Sequence, residues 1–187
     1  MLGKRILVIG SPGGGKSTFS RRLGELSGLP VVHLDQLFWN SDRTTVTREV
    51  FDQRLEKALA EECWIIDGNY QRTMERRMEQ CHTVFFLDYP VETCLEGVRS
   101  RFGKPRPDIP WVETEVDQEF LSLIREFPEK SRPAIITLWE KYPRKHWVVF
   151  HTREEAEAYL LGYTQAAPKG RMGTCLLYTS DAADEAR

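Results

Sequence analysis

The 187-residue sequence contains no hydrophobic run long enough to cross a bilayer or to serve as a signal-peptide core. Its longest early apolar stretch is four residues, Ile6-Leu7-Val8-Ile9, so a cytoplasmic protein with no membrane partner is expected. It also lacks an excess of charge of either sign: 26 Lys and Arg against 28 Asp and Glu leave a net charge of −2, which argues against binding nucleic acid through a dominant non-specific field. The four cysteines, Cys63, Cys81, Cys94 and Cys175, show no C-x-x-C spacing, and the four histidines, His33, His82, His146 and His151, form no H-E-x-x-H pair. No zinc site is indicated, and reduced structural thiols are the expectation. There is no N-K-x-D segment of the kind that reads guanine, and no internal repeat. The length fits one domain with a core able to stand alone.

Against these absences one stretch stands out: Gly10-Ser11-Pro12-Gly13-Gly14-Gly15-Lys16-Ser17-Thr18, directly after the apolar run. It fits G-x-x-x-x-G-K-[ST] at every fixed position, with a strand pattern before it and an amphipathic helical pattern after it. A polyphosphate needs many donors around a small volume. Gly13, Gly14 and Gly15 can take left-handed backbone angles and turn successive N–H groups inward, while the following helix aims its positive end at the same point. Lys16 is placed to reach the outer phosphates and Ser17 to put its hydroxyl on Mg²⁺. A dinucleotide-binding turn is the main rival, since Asp35 follows about twenty residues on. G-x-G-x-x-G starting at Gly13 would need glycine where Thr18 stands, and would leave Lys16 without a role.

Four further short apolar segments read as strands: residues 30–34, 64–66, 83–87 and 147–150. Helical stripes follow most of them. Phe19, Leu23 and Leu26 mark the first; Phe51, Leu55, Ala58 and Leu59 a second ending near Ala60; Leu95, Val98 and Phe102 a third that opens after Pro90. Val116, Phe120, Leu123, Ile124 and Phe127 form a stripe stopped by Pro128, and Ile135, Leu138, Trp139 and Tyr142 one stopped by Pro143. Thr152-Arg153-Glu154-Glu155 matches a capping box that opens a last helix through Leu160. Strands alternating with helices, the first strand feeding the loop, predict an α/β three-layer sandwich with a five-stranded parallel sheet. Asp35 and Asp67 then fall at carboxyl ends of strands, where such sheets open toward a ligand crevice. The segment Phe102-Gly103-Lys104-Pro105-Arg106-Pro107-Asp108-Ile109-Pro110 excludes regular structure, and with Arg101 it reads as a basic lid over a nucleotide. Lys141, Arg144, Lys145 and His146 make a small basic patch that a DNA-related role would use. Residues 164–187, including Cys175-Leu176-Leu177-Tyr178-Thr179-Ser180, resemble a translated cloning adaptor and are set aside as a foreign or disordered tail, so the domain is expected to span residues 1–163.

Taken together, the loop, His33-Leu34-Asp35-Gln36-Leu37-Phe38-Trp39, Trp64-Ile65-Ile66-Asp67-Gly68-Asn69-Tyr70, Arg101 with Arg106-Pro107-Asp108, and Arg132-Pro133 resemble the adenylate-kinase-like small P-loop kinases, closest to the bacterial topology modulation group. The resemblance implies a P-loop NTPase fold of the nucleotide-kinase type, strand order 2-3-1-4-5, a substrate-binding segment around residues 36–60 and a short lid around 101–110. It implies ATP and Mg²⁺ as cofactors and transfer of the γ-phosphoryl group to a small acceptor. Lys16, Arg101 and Arg106 would neutralise the transferring charge, Asp35 would orient an acceptor hydroxyl, and Asp67 would join Ser17 at Mg²⁺. The loop near His151 to Arg153 would pack on the base. Adenylate kinases carry Asp-Gly-Phe-Pro-Arg after the third strand, whereas this chain has Asp67-Gly68-Asn69-Tyr70-Gln71, with Arg72 one step beyond, which argues against AMP as acceptor. The alternative is a P-loop ATPase with a DNA-related, topology-modulating role and no small acceptor. A monomer or weak dimer is expected.

Overall fold

The computed structural model describes residues 2–105, 109, 112 and 117–166. The chain runs β1 (Arg5–Gly10), α1 (Lys16–Ser27), β2 (Val31–His33), α2 (Leu34–Phe38), α3 (Arg48–Ala60), β3 (Trp64–Asp67), α4 (Gln71–Gln80), β4 (Thr83–Leu87), α5 (Val91–Arg101), α6 (Gln118–Lys130), α7 (Arg132–Lys141), β5 (His146–Phe150) and α8 (Arg153–Ala166). All strand pairings are parallel, and the five-stranded sheet has the order β2-β3-β1-β4-β5. This is the predicted architecture and order.

Helices cover both faces, which is why the strands are continuously apolar instead of alternating. Leu7 and Ile9 of β1 point to one face, where they pack with Phe51, Leu55, Met74, Met78 and Ile135 from α3, α4 and α7. Ile6 and Val8 point to the other, against Phe19 and Leu23 of α1, Leu95 of α5 and Leu160 of α8. From β1 the chain goes to β2 on one side, returns through β3, and then continues to β4 on the far side of β1. The carboxyl end of β1 is therefore the place where the winding direction reverses, and a crevice opens there.

Three elements differ from the sequence reading. The segment after β2 is not extended into the crevice: Leu34–Phe38 forms the short α2, placing Asp35 in its first turn. Helix α4, Gln71–Gln80, carries no apolar stripe of helical period, because one of its four buried positions is Arg77. Pro128 does not stop α6, which runs on to Lys130; Pro133 instead falls at the start of α7. Within the α6 stripe Ile124 and Phe127 are core, while Leu123 is 57% exposed. Cys81 and Cys94 are free and buried, but Cys63 is disulfide-bonded, so the expectation of reduced thiols does not extend to it. Helix α8 continues to Ala166, and residues 167–187 lie outside the described residues. Among the described residues no helix is long and apolar enough to cross a membrane.

Candidate active site

The loop between β1 and α1 is built by its glycines, though not the three expected. Gly13 and Gly15 have positive φ (74° and 87°), whereas Gly14 does not; its N–H donates to Ser11 O at 3.1 Å. Gly10 is the third residue with positive φ (134°), and a Cβ there would lie 2.2 Å from Leu87 O, so the close approach of β1 to β4 demands glycine. Gly15 is the N-cap of α1 and has no side chain with which to cap it. The N–H groups of the first turn and the helix dipole suit an anion. Space beside Gly15 is open, with only an Arg153 nitrogen at 4.0 Å from a Cβ built there. Lys16 folds back over the loop, its Nζ donating to Gly10 O at 3.1 Å and Ser11 O at 3.0 Å. Burial lowers its pKa, while Asp67 and Asp35 pull it back up. A cation held this close to two carboxylates, on carbonyls it can exchange for better acceptors, fits a polyphosphate.

A cleft of about 530 Å³ opens over the loop. It gathers Pro12, Gly13, Gly15, Lys16, Ser17 and Thr18 together with Asp35, Asp67, Asn69 and Tyr70 and with Arg21, Arg101, Lys104, Phe120 and Leu123. Of the predicted site residues, Gly10, Ser11 and Gly14 do not line it: Gly10 lies beneath, Ser11 is buried with its Oγ donating to Tyr89 O at 3.2 Å, and Gly14 faces a second groove. Arg101 is the last residue of α5, and its guanidinium carbon sits 5.8 Å from the Phe120 ring centre. Arg106 lies outside the described residues. The second groove, about 560 Å³, runs from Gly14, Gly15 and Thr18 to Arg153, Glu154 and Glu157 of α8. It holds the loop at Arg153 that the resemblance assigned to the base.

Both carboxylates have close partners. Registered opposite each other on β2 and β3, His33 and Asp67 are buried and joined by a 2.6 Å contact between His33 Nδ1 and Asp67 Oδ2. Asp35 Oδ1 accepts a hydrogen bond from the Tyr70 hydroxyl at 2.7 Å, and burial followed by the Asp35 charge raises the Tyr70 pKa, keeping the phenol a donor.

Three residues here were assigned no role from the sequence. Asn69 spans the peptide of Gly10: Gly10 N–H donates to Asn69 Oδ1 at 3.0 Å and Asn69 Nδ2 donates to Gly10 O at 2.8 Å. Tyr70 sits in the left-handed region (φ 33°, ψ 67°), which costs a non-glycine residue about 1–3 kcal/mol and persists only where neighbours impose it. Arg77 imposes it. This side chain is 0% exposed, and it donates to Gly68 O at 2.8 Å, Tyr70 O at 3.1 Å, Thr73 O at 3.3 Å and Asn69 O. Burial pulls its pKa down to about 9, which leaves it cationic at neutral pH, partly sustained by Asp67. A buried arginine among polar helix neighbours has no sequence signal, whereas Asn69-Tyr70 was visible both within the Trp64–Tyr70 segment of the resemblance and as the departure from Asp-Gly-Phe-Pro-Arg.

Of the other arginines near the cleft, Arg21 reaches the Thr18 hydroxyl, at 3.5 Å, while several are engaged with carboxylates or carbonyls. Arg132, at the start of α7, makes a two-pronged bond to Asp88, with Nε at 2.9 Å and Nη2 at 2.8 Å from its oxygens. Arg72 pairs with Asp52 of α3, and Arg54 donates to Leu37 O at 3.1 Å. In the basic patch, Lys141 is paired with Glu75, and Lys145 donates to Glu79 O and Cys81 O at 2.9 and 2.7 Å. Among the described residues no group of three or more His, Cys, Asp or Glu could hold a metal ion unaided. Ser17 and Asp67 both line the cleft, and a Mg²⁺ ion there would need few protein ligands, since it completes its shell with phosphate oxygens and water.

No protein-family model matches the chain, and no curated protein matches it significantly in sequence. Solved structures do. Shikimate kinase from Acinetobacter baumannii in complex with shikimate is 20% identical with a TM-score of 0.55, over 87% of this chain and 94% of that one. Shikimate kinase from Bacteroides thetaiotaomicron is 18% identical with a TM-score of 0.56, over 86% and 96%. At such identities the likeness defines the fold, and the chain has the P-loop kinase fold. The comparisons do not support the narrower likeness to the topology modulation group.

Proposed function

We propose that the protein is an ATP- and Mg²⁺-dependent small-molecule kinase that transfers the γ-phosphoryl group to a hydroxyl-bearing acceptor. The observation that carries this reading is the cleft itself: a phosphate loop and its lysine share one cavity with two carboxylates, Asp35 after β2 and Asp67 at the end of β3, and with Arg101 and Lys104. An enzyme that only hydrolysed ATP would have less use for a second carboxylate, Asp35, held by the Tyr70 hydroxyl in the same cleft as the loop. ATP with Mg²⁺ would supply the phosphoryl group and its charge neutralisation; the transition state is loose and charge-rich, so the protein's share is positioning and positive potential.

In this reading Lys16 leaves the carbonyls of Gly10 and Ser11 for the outer phosphates, and the loop N–H groups and the first turn of α1 hold the rest. Ser17 and Asp67 would hold Mg²⁺, with Asp67 oriented by His33. Asp35 accepts a hydrogen bond from the acceptor hydroxyl and draws its proton as the oxygen attacks. Arg101 and Arg106 stabilise the charge on the transferring group, and residues 36–60 present the acceptor. The similarity to shikimate kinases supports a small hydroxyl acceptor, as does the missing monophosphate-holding arginine: Arg72 is turned to Asp52. The DNA-related ATPase role suggested by the topology modulation likeness draws on a basic patch whose Lys141 and Lys145 already have partners.

The test is phosphotransfer from labelled ATP to a panel of nucleosides, nucleoside monophosphates, polyols and hydroxy acids including shikimate. Transfer to one acceptor class is expected, and Lys16→Ala should lower it by roughly 10²-fold or more. ATP turnover with no acceptor dependence, or turnover untouched by Lys16→Ala, overturns the proposal; a gel shift on DNA that steepens at low salt would favour the alternative.

A further inference from the structure

The loop after β3 is held from inside the core and in turn holds the phosphate loop. Strand β3 pairs with β1 as far as Val8 opposite Asp67, and Gly68 N–H still reaches Val8 O at 3.2 Å. Beyond that point β3 has ended, yet the ladder continues for one more step. The side-chain amide of Asn69 takes the place of a backbone peptide, donating to Gly10 O and accepting from Gly10 N–H. Gly10 O is also one of the two carbonyls on which Lys16 Nζ rests. One peptide group is therefore shared by Asn69 and the lysine.

Asn69 can do this only if its backbone is presented at the right angle, and that backbone is strained at the next residue, Tyr70. Arg77 supplies the presentation. Its guanidinium fork reaches the carbonyls of three consecutive residues, Gly68, Asn69 and Tyr70, with its Nε on Thr73 O, and it is fully buried with no carboxylate bonded to it. Desolvating a guanidinium to bond carbonyls is costly, and a plain hydrophobic residue would fill the same volume more cheaply. The arrangement makes sense as a positioning device.

We propose that Arg77 and Asn69 form a strut that presets the phosphate loop: Arg77 fixes the Gly68–Tyr70 backbone, and Asn69 transmits that geometry to the Gly10 peptide and so to Lys16. Neither residue reacts. Both are positioning residues, and the same strut holds the Tyr70 hydroxyl on Asp35. The inference rests on the loop's being a nucleotide site, as proposed above.

The experiment measures binding of a fluorescent ATP analogue with Mg²⁺ to wild type, Asn69→Ala, Arg77→Lys and the double variant, well below each protein's melting temperature. Wild-type binding comes first: if none occurs, the kinase reading fails and the strut with it. Given binding, each single variant should weaken it by roughly ten- to a hundredfold, the scale of a small misplacement in a preset site. The double variant should bind no more weakly than Asn69→Ala, because Arg77 acts through Asn69. A merely structural role for Arg77 would lower melting temperature without this non-additivity. Affinities within twofold of wild type for Asn69→Ala, or additive losses in the double variant, overturn the strut. Should Arg77→Lys fail to fold, Asn69→Gln decides in its place: it keeps both amide groups at the wrong reach and should bind as weakly as Asn69→Ala, whereas wild-type affinity refutes the clamp.

Discussion

Asp67 shows how much a single side chain depends on its neighbour. It is 4% exposed at the end of β3, and it is joined to His33, itself 6% exposed. Removing the imidazole would leave a buried carboxylate without its hydrogen-bonding partner, and an unmade bond at a buried charge costs more than the bond itself was worth. His33→Ala should therefore lower unfolding stability by about 2–4 kcal/mol in urea titration, and His33→Asn, which keeps a donor at that place, should recover part of the loss. Equal stability of all three proteins would mean that Asp67 does not need the histidine. The sequence displayed Asp67 plainly, as the acid at the end of an apolar run. It could not display the histidine's role, because His33 and Asp67 are 34 residues apart and meet only when β2 takes its register beside β3.

Elements repeat that division between local and non-local information. The start of α8 was legible in full: Thr152 Oγ1 accepts from Glu155 N–H at 3.2 Å, while Glu155 Oε2 accepts from His151 N–H at 2.6 Å and Thr152 N–H at 3.4 Å. Such a box uses only neighbours in the chain, so pattern suffices. Because it also orients the segment that brings Arg153 to the phosphate loop, losing it should matter twice. Thr152→Ala is expected to cost about 1 kcal/mol, seen as a melting temperature lower by roughly 2–4 °C for a protein of this size. An unchanged melting temperature would mean that the cap contributes nothing. Helix α4 is the opposite case. Its buried face is Thr73, Met74, Arg77 and Met78, and any count of hydrophobic period scores two of these four as polar. The face is buried because Arg77 finds carbonyls there, a fact that no window of the sequence contains. Helix α2 was missed for a simpler reason: five residues are too few to show a period.

Across the whole molecule, burial on two faces of one sheet shifts titrations in ways that stability measurements can read. Burial pushes the Tyr89 phenol from 10.0 up to about 12. Between those values the folded protein keeps a proton that the unfolded chain releases, so this contribution to stability is complete below pH 10 and is lost as pH rises toward 12. The stability difference between wild type and Tyr89→Phe should thus be constant up to about pH 9 and fall by about 2 kcal/mol by pH 12. A flat difference over that range would show that the phenol ionises as freely in the folded state as in the unfolded one. Comparing with the variant isolates this group from Lys16 and Arg77, whose lowered values act in the opposite direction.

The phosphate loop, the parallel α/β architecture and the two acids at the crevice could all be read from the chain, because each depends on residues adjacent in sequence or on the continuous hydrophobicity that a doubly covered sheet requires. The clamp of Asn69 on Gly10, 59 residues apart, the bond of Tyr70 to Asp35, 35 residues apart, and the buried arginine that holds that corner in place could not. They exist because β3 inserts between β1 and β2. That insertion brings polar groups from three distant segments into a water-poor corner, where each must find a partner, and the partners are chosen by proximity in space, which local pattern does not record.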